Sequence, residues 1–195
     1  MSNFRLHSPD AVLIHIPKTG GTSIRKGVWA GRYDPPAFGE MPAAWQPLFK
    51  FAFVRHPFSR FVSAYKMFTD GTHNEPDWSM PHDARPLTVA AFIDIVLDDE
   101  IIFDERRQRF EEKIRHHTIP QTHPFNCLGL ADFVGRYENL EQDFASIAAR
   151  VGVPAQLPHM HRTEHGHWSH YLSQRERDRL WMFYREDFEQ LGYSG

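Results

Sequence analysis

The chain has 195 residues, 24% charged and 14% aromatic, with a formal net charge of −3; this is the size and mixture of one compact domain and excludes a disordered or fibrous chain. It holds no apolar run of about 18 residues, no secretory-signal pattern, a single cysteine (Cys127), and thirteen histidines without a metal-ligand cluster, so we expect a soluble, cytoplasmic protein with no membrane span and no metal. An acidic chain is a poor partner for nucleic acid, but residues 1–60 carry a net +5 and the remainder −8, which suits a local anionic ligand.

"AVLIHI" (11–16) is a continuous apolar run of strand length, the pattern of a strand buried on both faces, and a helix is predicted over 22–30. Residues 31–47 are too rich in Gly and Pro for regular structure beyond a short helical turn. "FKFAFV" (49–54) reads as a second buried strand and 57–68 as a helix with Pro57 at its first position, where a missing N–H costs nothing. Residues 69–86 form a long polar loop, a candidate rim for an acceptor. Thr88 caps a helix containing Val89, Phe92, Ile93, Val96 and Leu97 at helical spacing. A charged helix follows over roughly 103–116, its mixed charges reading as a solvated face. "DFVGRYENL" (132–140) is predicted as a short strand entering a helix at 140–150 that Gly152 ends. A last helix starts from a Ser173/Glu176 capping box and aligns Leu180, Tyr184, Phe188 and Leu191 up to Gly192. There is no repeat and no linker, so 1–195 reads as one domain. Buried strands alternating with helices predict a parallel α/β sheet with ligands at the strands' C-terminal ends.

The stretch "VLIHIPKTGGTSIRKGV" (12–28) runs from strand to turn to helix. Glycines let backbone N–H groups approach an anion, and the following helix N-terminus adds partial positive charge. Lys18 adds a full charge, and Thr19, Thr22 and Ser23 add hydroxyls around Gly20 and Gly21. The order is not that of the Walker A loop, in which glycines precede the lysine, so an ATPase or GTPase is disfavoured. Arg55 stands at the end of the second strand and Ser63 eight residues later on the helix; a guanidinium fork with a hydroxyl suits a phosphate dianion. Arg60, in the same helix, reads as a structural ion pair.

"HIPKTGGTS" (15–23) resembles the 5′-phosphosulfate loop of sulfotransferases, and "FAFVRHPFSRFVSAY" (51–65) resembles their 3′-phosphate element, in the same order and at a matching separation. "HTIPQ" (117–121), "VGRYENLEQDF" (134–144) and "FYREDFEQLGY" (183–193) are fainter echoes, and the chain as a whole is similar to the carbohydrate-type branch. The resemblance implies a three-layer α/β/α fold with a central parallel sheet and P-loop-like nucleotide-binding architecture. It implies 3′-phosphoadenosine 5′-phosphosulfate (PAPS) as donor, adenosine 3′,5′-bisphosphate (PAP) as product, and a carbohydrate or small glycosylated acceptor. Lys18, Thr19, Gly20, Gly21, Thr22 and Ser23 would hold the 5′ side, and Arg55 with Ser63 the 3′-phosphate.

Sulfuryl transfer is mainly a problem of positioning and electrostatics, with less charge to neutralise than in phosphoryl transfer, so no metal is required. Lys18 would stabilise the leaving oxygen. A base must take the acceptor's proton, and Glu40, between the two phosphate elements, is the first candidate. His117 is the second, although a structural histidine is the plainer reading there; His15, on the buried strand, reads as packing. His161 and Arg162 would fall near the donor. Two rivals remain: a nucleotide-dependent kinase, which would need Mg²⁺, and a silent nucleotide-binding protein.

Overall fold

The computed structural model describes residues 2–69, 87–101, 109–157 and 166–195. The predicted rim loop from residue 70 onward, the first part of the charged helix, and His161 with Arg162 lie outside the described residues. Contacts gather the chain into two units, Met1–Arg55 with Gln121–Arg162, and His56–Pro120 with Thr163–Gly195. The strands are β1 (Ser2–Leu6), β2 (Ala11–Ile14), β3 (Ala37–Phe38), β4 (Lys50–Val54) and β5 (Phe133–Arg136). The helices are α1 (Pro57–Thr69), α2 (Val89–Leu97), α3 (Phe110–Thr118), α4 (Leu140–Val151), α5 (Gln174–Phe183) and α6 (Arg185–Leu191).

All five strands lie in the first unit, in one sheet ordered β3-β1-β2-β4-β5. β2–β4 and β4–β5 pair in parallel, whereas β1 runs antiparallel to β2 and to β3. The expected parallel sheet is thus parallel over β2, β4 and β5 and antiparallel at β1 and β3. Only His7–Asp10 separate β1 from β2, too few residues for the crossover that parallel neighbours require, so the pair closes as a hairpin. β2 and β4 are buried on both faces, which is why they read as unbroken apolar runs. Leu13, Phe51 and Phe53 pack with Ile24, Trp29 and, from α4, Phe144 and Ile147. Val12, on the opposite face, meets Ala37 and Trp45.

The second unit is helical. Its core joins Phe58, Phe61 and Phe68 of α1 to Phe92 of α2, Ile114 of α3, and Leu180, Tyr184 and Phe188. Both predicted caps form: the Thr88 hydroxyl accepts from the Ala91 N–H at 3.2 Å, and Glu176 accepts from the Ser173 N–H at 2.7 Å. The predicted last helix divides at Tyr184, whose backbone (φ −98°, ψ 18°) separates α5 from α6 while helical spacing continues across it.

Arg60 is fully buried on α1 and, among the described residues, donates to carbonyls rather than forming the ion pair expected. Its Nη1 reaches the His117 carbonyl at 3.0 Å, and its Nη2 reaches those of Thr118 at 3.2 Å and Ile119 at 2.6 Å. The end of a helix leaves carbonyls without intrahelical donors, and one guanidinium supplies them for α3. Tyr184 adds a hydroxyl donor to the Thr118 carbonyl at 2.7 Å. Arg60→Met, which keeps much of the volume and none of the donors, should lower unfolding free energy by about 3 kcal/mol in urea titration; a loss under about 1 kcal/mol would remove this cap from the account.

Candidate functional site

β2 and β4 run parallel with Ile14 opposite Ala52, so the chain leaves both strands at the same end of the sheet. The loop after β2 and Arg55 after β4 are thereby brought together in the first unit, where Arg55 Nη1 donates to the Lys18 carbonyl at 3.2 Å. This is the end of a parallel pair at which α/β proteins bind ligands.

The loop is shaped by two left-handed residues, Lys18 (φ +70°) and Gly20 (φ +87°). That conformation is natural for glycine and uncommon for lysine, so surrounding structure must hold Lys18 there. The buried Thr19 hydroxyl does part of this by donating to the Ile16 carbonyl at 2.7 Å. Gly21 answers a steric demand: a Cβ there would lie 2.0 Å from His15 Cδ2. The first helical bond runs from the Ile24 N–H to the Gly20 carbonyl at 3.4 Å, so the amides of Gly21, Thr22 and Ser23 precede any intrahelical acceptor. The predicted 22–30 helix is shorter and wider than expected, a π-helical segment Ser23–Val28 in which the Trp29 N–H reaches the Ile24 carbonyl at 3.3 Å. Ser23 is buried, and the half-buried Thr22 makes no side-chain cap bond.

Burial, and then the charge of Arg55, pulls the Lys18 ammonium from the usual 10.5 down to about 8. His15 falls further, from 6.5 to about 3, through burial first, with Arg25 and Lys18 adding to it. It is neutral at pH 7 and packs 5.8 Å from the Phe4 ring, the packing role expected of it.

Arg55 is 9% exposed. Its backbone N–H donates to Gln121 Oε1 at 2.8 Å, and Gln121 Nε2 donates back to its carbonyl at 2.8 Å. Its guanidinium carbon lies 4.2 Å from the Tyr137 ring centre. Gln121 and Tyr137 escape a reading by residue type, because a lone glutamine or tyrosine carries no spacing pattern. Both fall inside stretches that echo sulfotransferases, and that likeness was the available signal.

The remaining candidates are placed separately. Glu40, in the first unit just beyond β3, has an exposed side chain, while its carbonyl accepts from Asn3 Nδ2 at 2.9 Å. Ser63 (buried, α1) and His117 (half-buried, α3) belong to the second unit. His117 Nδ1 donates to the Lys113 carbonyl at 2.8 Å, and its ring meets Phe68 edge-on at 5.4 Å. Among the described residues no group of three His, Cys, Asp or Glu could hold a metal ion, and no helix is long and apolar enough to cross a membrane.

The mixed α/β architecture agrees with a comparison against protein families: the sulfotransferase family matches residues 37–194. The chain belongs to the sulfotransferase family. The matched span includes Arg55 and Ser63 and begins after the Lys18–Ser23 loop. No curated protein and no solved structure matches the chain.

The lowered Lys18 value fixes the sign of a pH effect. Between about 8 and 10.5 the unfolded lysine binds a proton that the folded one has released, so stability rises with pH across that window. Lys18→Met keeps the left-handed backbone and removes the charge. Urea unfolding at pH 7.5 and 9.5 should show the wild type gaining stability relative to Lys18→Met at the higher pH (both values chosen to bracket the shifted value of about 8); a constant difference would refute the buried-ammonium account.

Proposed function

We propose that the chain, acting as a single domain over 1–195, transfers a sulfuryl group from PAPS to a hydroxyl or amine of an acceptor, a carbohydrate or small glycosylated molecule. Membership of the family supports sulfotransfer. The observation that carries the choice of donor is the joining of Lys18 and Arg55 at one strand end, beside a loop in which the amides of Gly21, Thr22 and Ser23 precede the first intrahelical bond. Two cations and a run of amides suit a nucleotide with phosphate on both sides of its ribose. The resemblance adds Ser63 as the second ligand of the 3′-phosphate.

The donor supplies an activated sulfuryl group, and PAP is the leaving product. Lys18 stabilises the negative charge that grows on the leaving phosphate oxygen. The amides of Gly21, Thr22 and Ser23 and the hydroxyls of Thr22 and Ser23 assist it. Thr19 has a different part: its hydroxyl proton is engaged by Ile16, so it shapes the loop. A sulfuryl group carries less charge than a terminal phosphoryl group, and these residues suffice without a metal. Glu40 and His117 are the candidate bases. Glu40 offers an exposed carboxylate; His117 is oriented by the hydrogen bond from its Nδ1 to the Lys113 carbonyl. We assign the protein to the cytoplasm and give it no nucleic-acid partner.

Calorimetry without metal tests the donor. PAP should bind about 10- to 100-fold tighter than 5′-AMP, the worth of a charge-assisted phosphate contact, and Arg55→Ala should erase that difference. ATP binding as well as PAP, or binding that requires Mg²⁺, would overturn the sulfotransferase donor and favour the kinase.

A further inference from the structure

We infer that Gln121 and Tyr137 are positioning residues for the Arg55 guanidinium, and that discrimination of a 3′-phosphorylated nucleotide from its unphosphorylated counterpart depends on them. The inference rests on the reading of Arg55 as the ligand of the 3′-phosphate.

An arginine beyond a strand end has a long flexible stem, and each direction it samples weakens its grip on a dianion unless the orientation is set in advance. Arg55 lies one residue past the last β4–β5 pair, Val54 with Arg136. The Gln121 amide there gives an acceptor to the N–H and a donor to the carbonyl of that single residue, both at 2.8 Å. That is the pairing a neighbouring strand would offer, so the side chain extends the ladder by one residue. Gln121 is itself fully buried, and its own carbonyl accepts from Asn126 Nδ2 at 3.0 Å.

The guanidinium is fixed by its face and one edge. Tyr137 lies under the face at 4.2 Å, and the Lys18 carbonyl takes the Nη1 edge at 3.2 Å. A plane restrained on its face and at one edge keeps one orientation. Tyr137 directly follows β5, where the Arg136 N–H donates to Asp143 Oδ2 of α4 at 2.6 Å, so the ring stands on a turn tied to a helix. Both restraints thus come from parts of the chain more firmly held than the side chain they orient.

Tyr137 also approaches the phosphate loop, 3.6 Å from where a Cβ on Gly20 would lie. The test must therefore separate a loop effect, which falls equally on all 5′-phosphorylated nucleotides, from a positioning effect, which falls on the 3′-phosphate alone. The readout is the ratio of 5′-AMP to PAP dissociation constants by calorimetry for Tyr137→Leu, Tyr137→Phe and Gln121→Leu. Tyr137→Leu and Gln121→Leu should lower that ratio about tenfold while 5′-AMP affinity stays within about twofold, and Tyr137→Phe, which keeps the ring, should retain the wild-type ratio. Should Gln121→Leu fail to fold, the two Tyr137 variants decide. Equal losses for both nucleotides, or an unchanged ratio in Tyr137→Leu, would overturn the inference. A second readout needs no nucleotide: the rate of phenylglyoxal modification at Arg55, followed by peptide mass spectrometry. It should rise about threefold or more in Tyr137→Leu and stay near wild type in Tyr137→Phe, and an unchanged rate in Tyr137→Leu also overturns the inference. If the wild type binds PAP no tighter than 5′-AMP, the reading of Arg55 as a 3′-phosphate ligand fails, and the modification rate alone decides the positioning.

Discussion

Two cations share one end of the first unit's sheet, and much of the local structure serves to hold them there. Burial penalises the Lys18 charge, and repulsion from Arg55 adds to the penalty, which is why the ammonium loses its proton so readily. The closeness of the two cations is unfavourable by itself. It persists because the parallel register of β2 and β4 fixes where both chains emerge, and because the Lys18 carbonyl, turned by a left-handed backbone, accepts from the guanidinium that its own side chain repels. A polyanion bound as proposed would reverse the balance, drawing both cations toward itself and raising the ammonium's proton affinity. Binding energy and relief of repulsion are then the same event.

The brace behind this loop is the strand that the sequence hides best. β1 reads "SNFRL", short and half polar, with no apolar run to announce it. Its Phe4 nevertheless packs against His15, and His15 is the ring that forces residue 21 to be glycine. Phe4 also carries the Arg25 guanidinium 4.8 Å above its ring, and Arg25 Nη1 donates to the Tyr33 hydroxyl at 2.8 Å. An antiparallel hairpin thus supports a loop that belongs, by its chemistry, to the parallel half of the sheet. Because His15 stays neutral down to about pH 3, the brace adds no charge of its own over the working range.

Legibility follows the distance over which a signal acts. β2, β4, the Lys18–Ser23 loop and Arg55 could be read because apolar runs, glycines and cations lie within a few residues of each other. Thr88 and the Ser173/Glu176 box were readable for the same reason. β3, two residues long inside a Gly/Pro-rich stretch, is made by pairing with β1 and has no local pattern. Gln121 reaches Arg55 across 66 positions, a relation that no periodicity encodes. The choice between Glu40 and His117 belongs to the same class, since a base is defined by what approaches it and not by its neighbours in the chain.

The segment "FAFVRHPFSRFVSAY" contains two arginines five positions apart, and the fold holds them in different ways. Arg60 sits inside a helix, and its terminal nitrogens are taken by three carbonyls at the end of α3. An anion there would have to compete with the carbonyls that Arg60 caps. Arg55 sits at a strand end, held through its backbone, its flat face and one edge. Composition cannot separate the two residues, because both are buried and both are charged. What separates them is place: Arg60 lies within α1 and caps the end of α3, whereas Arg55 stands just past β4 beside the Lys18 carbonyl, at the strand end from which the proposed phosphate contact would be made.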